Sequence, residues 1–429
     1  MKIIKASGPT FERAMAKLDD RLNGGSSAIG DTVSAIIAEV RRRGDAALVA
    51  FSKRFDGSNV TPTSLRVLEK EMGNATRVAN PAVVKALNAA AKRIKSFHQK
   101  QVEKSWSVNE KGCVTGQVIT PLESVGVYVP GGKACYPSSV LMNVIPARIA
   151  GVKRVVMVTP APRGYLNPHV LVAAGIAGVD EVWKIGGAQA VAALAYGTKS
   201  IKPVDKIVGP GNAYVAEAKR QVFGKVDIDM IAGPSEILAL ADDTANPVLV
   251  AADLLSQAEH DENAYPILVT TSEKLAKTVD NELKKQAARL DRSAIIAKCL
   301  ASNCYAFVAK NLNEAFEISN RIAPEHFELL IKDAEKHAGK VKNAGAIFVG
   351  PWTPEALGDY MAGPNHVLPT GGAARFQSPL GVYDFVKRTS LLNFTRKGFE
   401  ALARDVVALA EEEGLGAHAN AVRLRMESK

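Results

Sequence analysis

Residues 207–260, IVGPGNAYVAEAKRQVFGKVDIDMIAGPSEILALADDTANPVLVAADLLSQAEH, decide how the rest of the chain is read. The stretch opens with a strand-like apolar run, breaks at Gly209-Pro210-Gly211-Asn212 and continues in a helical pattern. A second turn, Gly233-Pro234-Ser235-Glu236, leads to another apolar run and then to a helical segment carrying Gln257 and His260. Glycine and proline punctuate a chain where its backbone must approach something closely. Gln257 and His260, three residues apart, share one helix face. A glycine turn ahead of a helix suits phosphate, and an amide oxygen beside an imidazole suits a metal.

The same alternation of strand, turn and helix extends to both sides. Upstream, strands are expected at 125–129, 154–159, 181–185, 206–208 and 226–230; downstream, at 237–240, 267–270, 305–308, 327–331 and 346–349. Strands alternating with helices indicate βαβ units and parallel sheets. The fold class expected is α/β, with two Rossmann-like parallel-sheet units and a small helical C-terminal tail. Residues 1–124 and 233–388 would form one discontinuous α/β domain with N-terminal helices, and 125–232 an inserted α/β domain. The charged segment 389–429 reads as a helical tail too small to bury a core alone, suited to packing on the body or on a second subunit. Before residue 80 the pattern is helical apart from a strand near 64–67, with Asp31 as a helix cap and Asn80-Pro81 opening the next helix.

At 429 residues the chain exceeds what one hydrophobic core usually holds, so two or more domains are expected. Hydrophobic content of 47% with 23% charged residues is that of a globular protein, not of a disordered or fibrous one. No apolar run is long enough for a membrane span. The opening MKIIKASGPTFERAMAKLDD lacks the apolar core of a signal peptide, so a cytoplasmic location is expected. A net charge of +10 raises nucleic acid as a partner, but the basic residues are scattered, with Arg41-Arg42-Arg43 the longest run, and no groove-tracking footprint results. Cys113, Cys135, Cys299 and Cys304 form no C-x-x-C pair and read as reduced thiols.

Glycine turns at Gly131-Gly132, Gly186-Gly187 and 209–212 all follow strands, where α/β sheets bind ligands, or they simply punctuate turns. None completes G-x-G-x-x-G. Of the seven histidines, His98, His169 and His337 suit the surface, whereas His260, His326, His366 and His418 have polar neighbours suited to chemistry. Each alone is more often structural than a ligand. Glu325-His326, after Pro324, supplies two groups that titrate near neutrality once partly buried, or else a solvated strand start.

Several motifs stand in one order along the chain: GVYVPGGKACYPSSVLMNVIPARIAGV, KIGGAQAVAALAYGT, VGPGNAYVAEAKRQVFG, DMIAGPSEILALAD, ADLLSQAEHD, APEHFELL, GDYMAGPNHVLPTGG, DFVKRTSLL and EGLGAHANAVRLR. Together they resemble the histidinol dehydrogenase family over nearly the full length. The resemblance implies oxidation of L-histidinol to L-histidine, the last step of histidine biosynthesis, in two hydride transfers to NAD through an aldehyde that stays bound. It implies one zinc per subunit, held by Gln257, His260 and Asp359 with His418 from the tail of the partner subunit, in a homodimer with a shared active site. Zinc in this family mainly holds the substrate. His326 would take protons from the hydroxyl and later from the hydrate, while Glu325 activates the attacking water. Ser235, His366 and Glu413 match substrate contacts, joined around the substrate by the metal ligands and the acid–base pair. Tyr128, Gln189 and Asn212 match contacts to NAD. Cys135, beside the first glycine turn, could suggest a thiohemiacetal route, but the family pattern requires no cysteine there and it reads as structural. Sister enzymes oxidise other polar alcohols such as sulfonated diols; Glu413 and His366 favour histidinol.

Overall fold

A computed structural model describes residues 1–21, 27–131 and 135–428. Gly132 of the first expected glycine turn, with Lys133 and Ala134, lies outside the described residues. In chain order the strands are β1 (Lys2–Lys5), β2 (Trp106–Glu110), β3 (Cys113–Pro121), β4 (Ser124–Tyr128) and β5 (Arg154–Val158). There follow β6 (Glu181–Trp183), β7 (Lys206–Val208), β8 (Asp227–Ile228), β9 (Glu236–Ala241) and β10 (Tyr265–Thr270). The last four are β11 (Tyr305–Val308), β12 (His326–Leu330), β13 (Ala346–Val349) and β14 (Val386–Phe394).

Among the described residues, two of the three sheets are parallel. One has the order β6-β5-β4-β7-β8 and the other β1-β11-β10-β9-β12-β13. Each is covered on both faces, which is why its strands read as continuous apolar runs and not as alternating ones. In β5, Val155 and Met157 pack towards helices Pro137–Ala150 and Pro168–Ala177. Val156 and Val158 face the opposite way, towards Ser27–Arg43, Gly187–Tyr196 and Ala213–Val222. In β9, Leu238 and Leu240 enter one core while Ile237, Ala239 and Ala241 enter the other. The two-residue period of a strand divides its side chains between these layers.

Both parallel sheets belong to one compact unit, Met1–Gln101 with Leu122–Phe385. The second unit, Val102–Pro121 with Val386–Lys429, carries the antiparallel sheet β14-β3-β2 followed by helices Arg396–Glu412 and Gly416–Glu427. Ala403, Ala410 and Ala419 are buried within it, but Leu391, Leu392, Leu402, Val406, Leu409 and Leu424 are exposed.

Four expectations are corrected. The tail expected to be helical from Thr389 begins as β14, which pairs with β3 along nine residues before the helices start. Residues 64–67 give only a bridge, Arg66 to Trp183, while β1 forms where no strand was expected. Asp31 lies inside its helix, which starts at Ser27; Asn80 does cap the next one, its side chain accepting from the Ala82 N–H at 2.9 Å. His98 is fully buried, its Nδ1 against the Ile94 carbonyl at 2.9 Å, because its helix packs that face on the core. Among the described residues no helix is long and apolar enough to cross a membrane.

Candidate active site

The acid–base and ligand candidates gather at the amino ends of β9 and β12. Helix Leu312–Ile322 ends at Ala323, a left-handed residue (φ 49°), and Pro324 then turns the chain into Glu325 and the first residue of β12, His326. Glu236, the first residue of β9, holds both members of the pair through its backbone. Its N–H donates to Glu325 Oε2 at 2.9 Å, and its carbonyl lies 2.9 Å from His326 Nδ1. The Glu236 carboxylate is in turn fixed by the buried Arg21, at 2.5 and 3.1 Å, and by the Gly371 N–H at 2.7 Å. With Nδ1–H donating to a carbonyl, Nε2 is the nitrogen at which the neutral imidazole accepts a proton.

That nitrogen faces carboxylates: Asp359 Oδ1 at 3.5 Å and Glu355 Oε1 at 3.9 Å. Asp359 lies in a single π-helical turn, Gly358–Ala362, whose carbonyl at Asp359 meets His366 Nδ1 at 2.9 Å. Helix Pro247–Ala258 brings Gln257 to its last turn. His260 sits just beyond the helix end, its N–H still donating to the Gln257 carbonyl at 3.2 Å. Ser235 immediately precedes β9, and its carbonyl accepts from the Tyr265 N–H at 2.9 Å.

Burial sets the titration of the cluster. It pushes the Glu325 carboxyl up to about 8, and that of Glu355 up to about 7. Burial alone would lower His326, but Glu325, Glu355 and Asp359 outweigh it and hold the imidazole well above its ordinary value. Burial would likewise raise Asp359, yet His326, His366 and His260 hold it low. His260 and His366 are lowered, chiefly by burial.

The donor set fits a divalent cation. His326, Glu355 and Asp359 offer ligand atoms within 4.8 Å of one another. His260 Nδ1 and His326 Nε2 are buried nitrogens that have no hydrogen-bond partner among the described residues. A buried polar atom left unpaired is costly, and a cation bound at His260 Nδ1 would remove that cost, although His260 is not among the three residues whose ligand atoms cluster.

The second group of candidates occupies the opposite kind of edge, the carboxyl ends of β4 and β7. There the chain has run outward through β5 and β6 and crossed back to β7, leaving a crevice at the switch point. Tyr128 ends β4, and its hydroxyl accepts from the Gly187 N–H at 3.0 Å; burial raises the phenol to about 12. Gln189 is buried in the first turn of helix Gly187–Tyr196. Asn212 caps helix Ala213–Val222, accepting from the Tyr214 and Val215 N–H groups at 3.1 and 3.2 Å. Before it, Gly209 adopts φ 108°, and a Cβ there would run into the Tyr128 carbonyl. The Gly209 N–H donates to Asp229 Oδ2 at 2.7 Å, and its carbonyl accepts from Lys219 Nζ at 3.0 Å. Lys219 and Asp229 are a buried ion pair, so this turn is pinned from both sides.

One contact joins the two edges. Ser139, in the first turn of the helix that follows β4, has its hydroxyl 3.3 Å from His366 Nε2. Ser139, Glu355 and the Arg21–Glu236 pair were not singled out from sequence. A lone serine, glutamate or arginine carries no pattern until the fold supplies its neighbours. Glu413 and His418 belong to the second unit, both exposed, at the end of one helix and in the first turn of the next. Cys135 is also exposed; desolvation of its thiol raises it to about 11, which disfavours a nucleophilic thiolate.

A family model described as histidinol dehydrogenase matches residues 20–426. A histidinol dehydrogenase of Bacillus cereus is 52% identical over 423 residues, 98% of each chain. One from Aquifex aeolicus is 53% identical over 394 residues, 92% of each chain. The crystal structure of histidinol dehydrogenase from Elizabethkingia anophelis superposes with a TM-score of 0.93 at 35% identity, covering 100% of this chain and 98% of that one.

Proposed function

Because the chain belongs to the histidinol dehydrogenase family, we propose that the two edges described above are the two halves of one oxidation site. The protein oxidises histidinol to histidine in histidine biosynthesis. Another polar alcohol, such as a sulfonated diol, is not favoured, since relatives at about half identity carry the histidinol name. The observation that carries the reading is the buried Glu325–His326 pair, with His326 Nε2 unpaired and turned towards Asp359.

In this reading the amino edge binds L-histidinol through zinc held by Gln257, His260 and Asp359, with His418 supplied by the partner subunit. The carboxyl edge binds NAD at Tyr128, Gln189 and Asn212. When bound, zinc would hold and orient the substrate, and NAD would accept hydride. His326 Nε2, its other nitrogen committed to the Glu236 carbonyl, takes the hydroxyl proton as the alcohol becomes an aldehyde. Glu325 then removes a proton from the water that adds to the aldehyde while His326 returns its proton to the aldehyde oxygen, which leaves His326 free to take a proton from the resulting hydrate. Ser235, His366 and Glu413 position the substrate, and the Ser139–His366 contact keeps the substrate edge in register with the cofactor edge.

The homodimer is supported by the second unit, which exposes Leu402, Val406 and Leu409 along one face of a helix whose Ala403 and Ala410 are buried. Apolar residues at that spacing form one stripe that a second copy could cover. A cytoplasmic location fits a biosynthetic enzyme of this family.

NADH formation from L-histidinol, followed spectrophotometrically, tests the activity; no turnover at any zinc concentration would sink it. The shared site has its own test. Two inactive proteins, His326→Asn and His418→Asn, are mixed under conditions that exchange subunits. In the mixed dimer one site carries both lesions and the other carries none, so activity should return, up to about half of wild type if sites act independently. Exchange without recovery would place His418 in its own chain's site.

A further inference from the structure

Gln257 is buried, and its amide lies against the buried carboxyl of Glu355. With the nitrogen towards Glu355, it donates to Oε1 at 2.6 Å and approaches Oε2 at 3.3 Å. Turned the other way, the amide would set oxygen against oxygen, leaving two buried acceptors facing each other. Glu355 is itself held in place. Its N–H donates to Glu328 Oε1 at 2.9 Å, and its Oε2 lies 2.5 Å from the Ser256 hydroxyl. That hydroxyl also lies 2.7 Å from the Asp253 carbonyl, and its one proton can serve either acceptor. If the proton goes to Asp253, Oε2 must carry its own proton to bond Ser256. Ionised, or protonated on Oε2, Glu355 keeps Oε1 as an acceptor for the Gln257 nitrogen.

The geometry points to Glu355 as a positioning residue that fixes the Gln257 amide with Oε1, the atom able to bind a cation, turned to the side away from Glu355. The inference rests on the reading of Gln257 as a zinc ligand. An amide nitrogen cannot ligate a cation, so an amide free to flip would spend part of its time with the wrong atom forward. Partners that orient a ligand in this way typically change metal affinity 10- to 100-fold.

The test measures zinc affinity by chelator competition, with thermal unfolding of each zinc-free protein as a check on folding. Glu355→Met removes the acceptor and should weaken zinc binding by about 10- to 100-fold. Glu355→Gln keeps an acceptor oxygen and should stay within about threefold of wild type. A loss in Glu355→Gln as large as that in Glu355→Met would mean that Glu355 binds the cation directly and would overturn the proposal. Gln257→Met separates the two readings. If it leaves affinity unchanged, Gln257 is not a ligand and both readings fall. If it weakens zinc while Glu355→Met does not, the ligand assignment stands and the positioning role falls. Should Glu355→Met fail to fold, the exchange Gln257→Glu with Glu355→Gln decides. It keeps a donor at 355 facing an acceptor at 257, so zinc affinity should survive to within about tenfold; a loss as deep as that of Gln257→Met refutes the role.

Discussion

The amino edge of one parallel sheet and the carboxyl edge of the other solve opposite electrostatic problems. At the carboxyl edge of β4 and β7, helices Gly187–Tyr196 and Ala213–Val222 begin, presenting N–H groups and a partial positive charge. At the amino edge of β9 and β12, helices Pro247–Ala258 and Leu312–Ile322 end, presenting carbonyls and a partial negative charge. The first edge presents backbone donors, which suit an anion such as a pyrophosphate. The second presents side chains, buried imidazoles among carboxylates, which suit a cation. The dinucleotide and the metal proposed above would each fall where helix polarity already favours it.

The hardest blow to this division comes from the amino edge. His260→Ala should lose most of its bound zinc and nearly all activity, and chelation of the wild type should do the same reversibly. A fully metal-loaded His260→Ala protein, measured by elemental analysis, would show that this edge does not select the cation as described.

Next in size are the proton-transfer residues. His326→Asn should slow both half-reactions by about a hundredfold or more, while Glu325→Gln should slow aldehyde oxidation more than alcohol oxidation. Equal, small losses in separately assayed half-reactions would remove both roles. Zinc-free protein gives a further reading. The Glu325 carboxyl is raised from 4.5 to about 8 by burial, so the folded state holds its proton more tightly than the unfolded one. Stability contributed by this group is therefore full at pH below about 4.5 and is lost as pH rises towards about 8. Glu325→Gln should flatten that decline in denaturant titrations; an unchanged slope would mean the carboxyl is already ionised in the apo fold.

The smallest effect belongs to the carboxyl edge. Asn212→Ala removes a helix cap, costing about 1 kcal/mol of stability, and should raise KM for NAD by about three- to tenfold with kcat and zinc content little changed. Loss of zinc in that variant would blur the distinction between the edges.

Legibility in the sequence followed burial. Strands covered on both faces, such as β5 and β10, appear as apolar runs because every side chain meets a helix layer. β2 (WSVNE) and β14 (VKRTSLLNF) have mostly exposed side chains, so no apolar period marks them, and the charged residues of β14 read as tail. β1 (KIIK) is short and bracketed by lysines. Within the site, histidines and the Gly-Pro turns stood out as residue types, but their roles came from the family resemblance and not from spacing. Glu355 shows the remaining gap: its importance lies in facing Gln257 across nearly a hundred residues of chain, a relation only the fold creates.

The pairing of β3 with β14 also carries a consequence for biosynthesis of the protein. β2 and β3 are neighbours in sequence and pair antiparallel, but the partner for the other edge of β3 begins about 265 residues later, between Pro121 and Val386. At ~5–20 residues per second, that edge waits on the order of ten to fifty seconds with unpaired N–H and carbonyl groups. Chains truncated before residue 386 should be cleaved by protease within residues 113–121, and full-length chains should not. Threonine, glycine and glutamine at positions 115–117 keep this waiting edge polar, which limits its attraction for a neighbouring nascent chain.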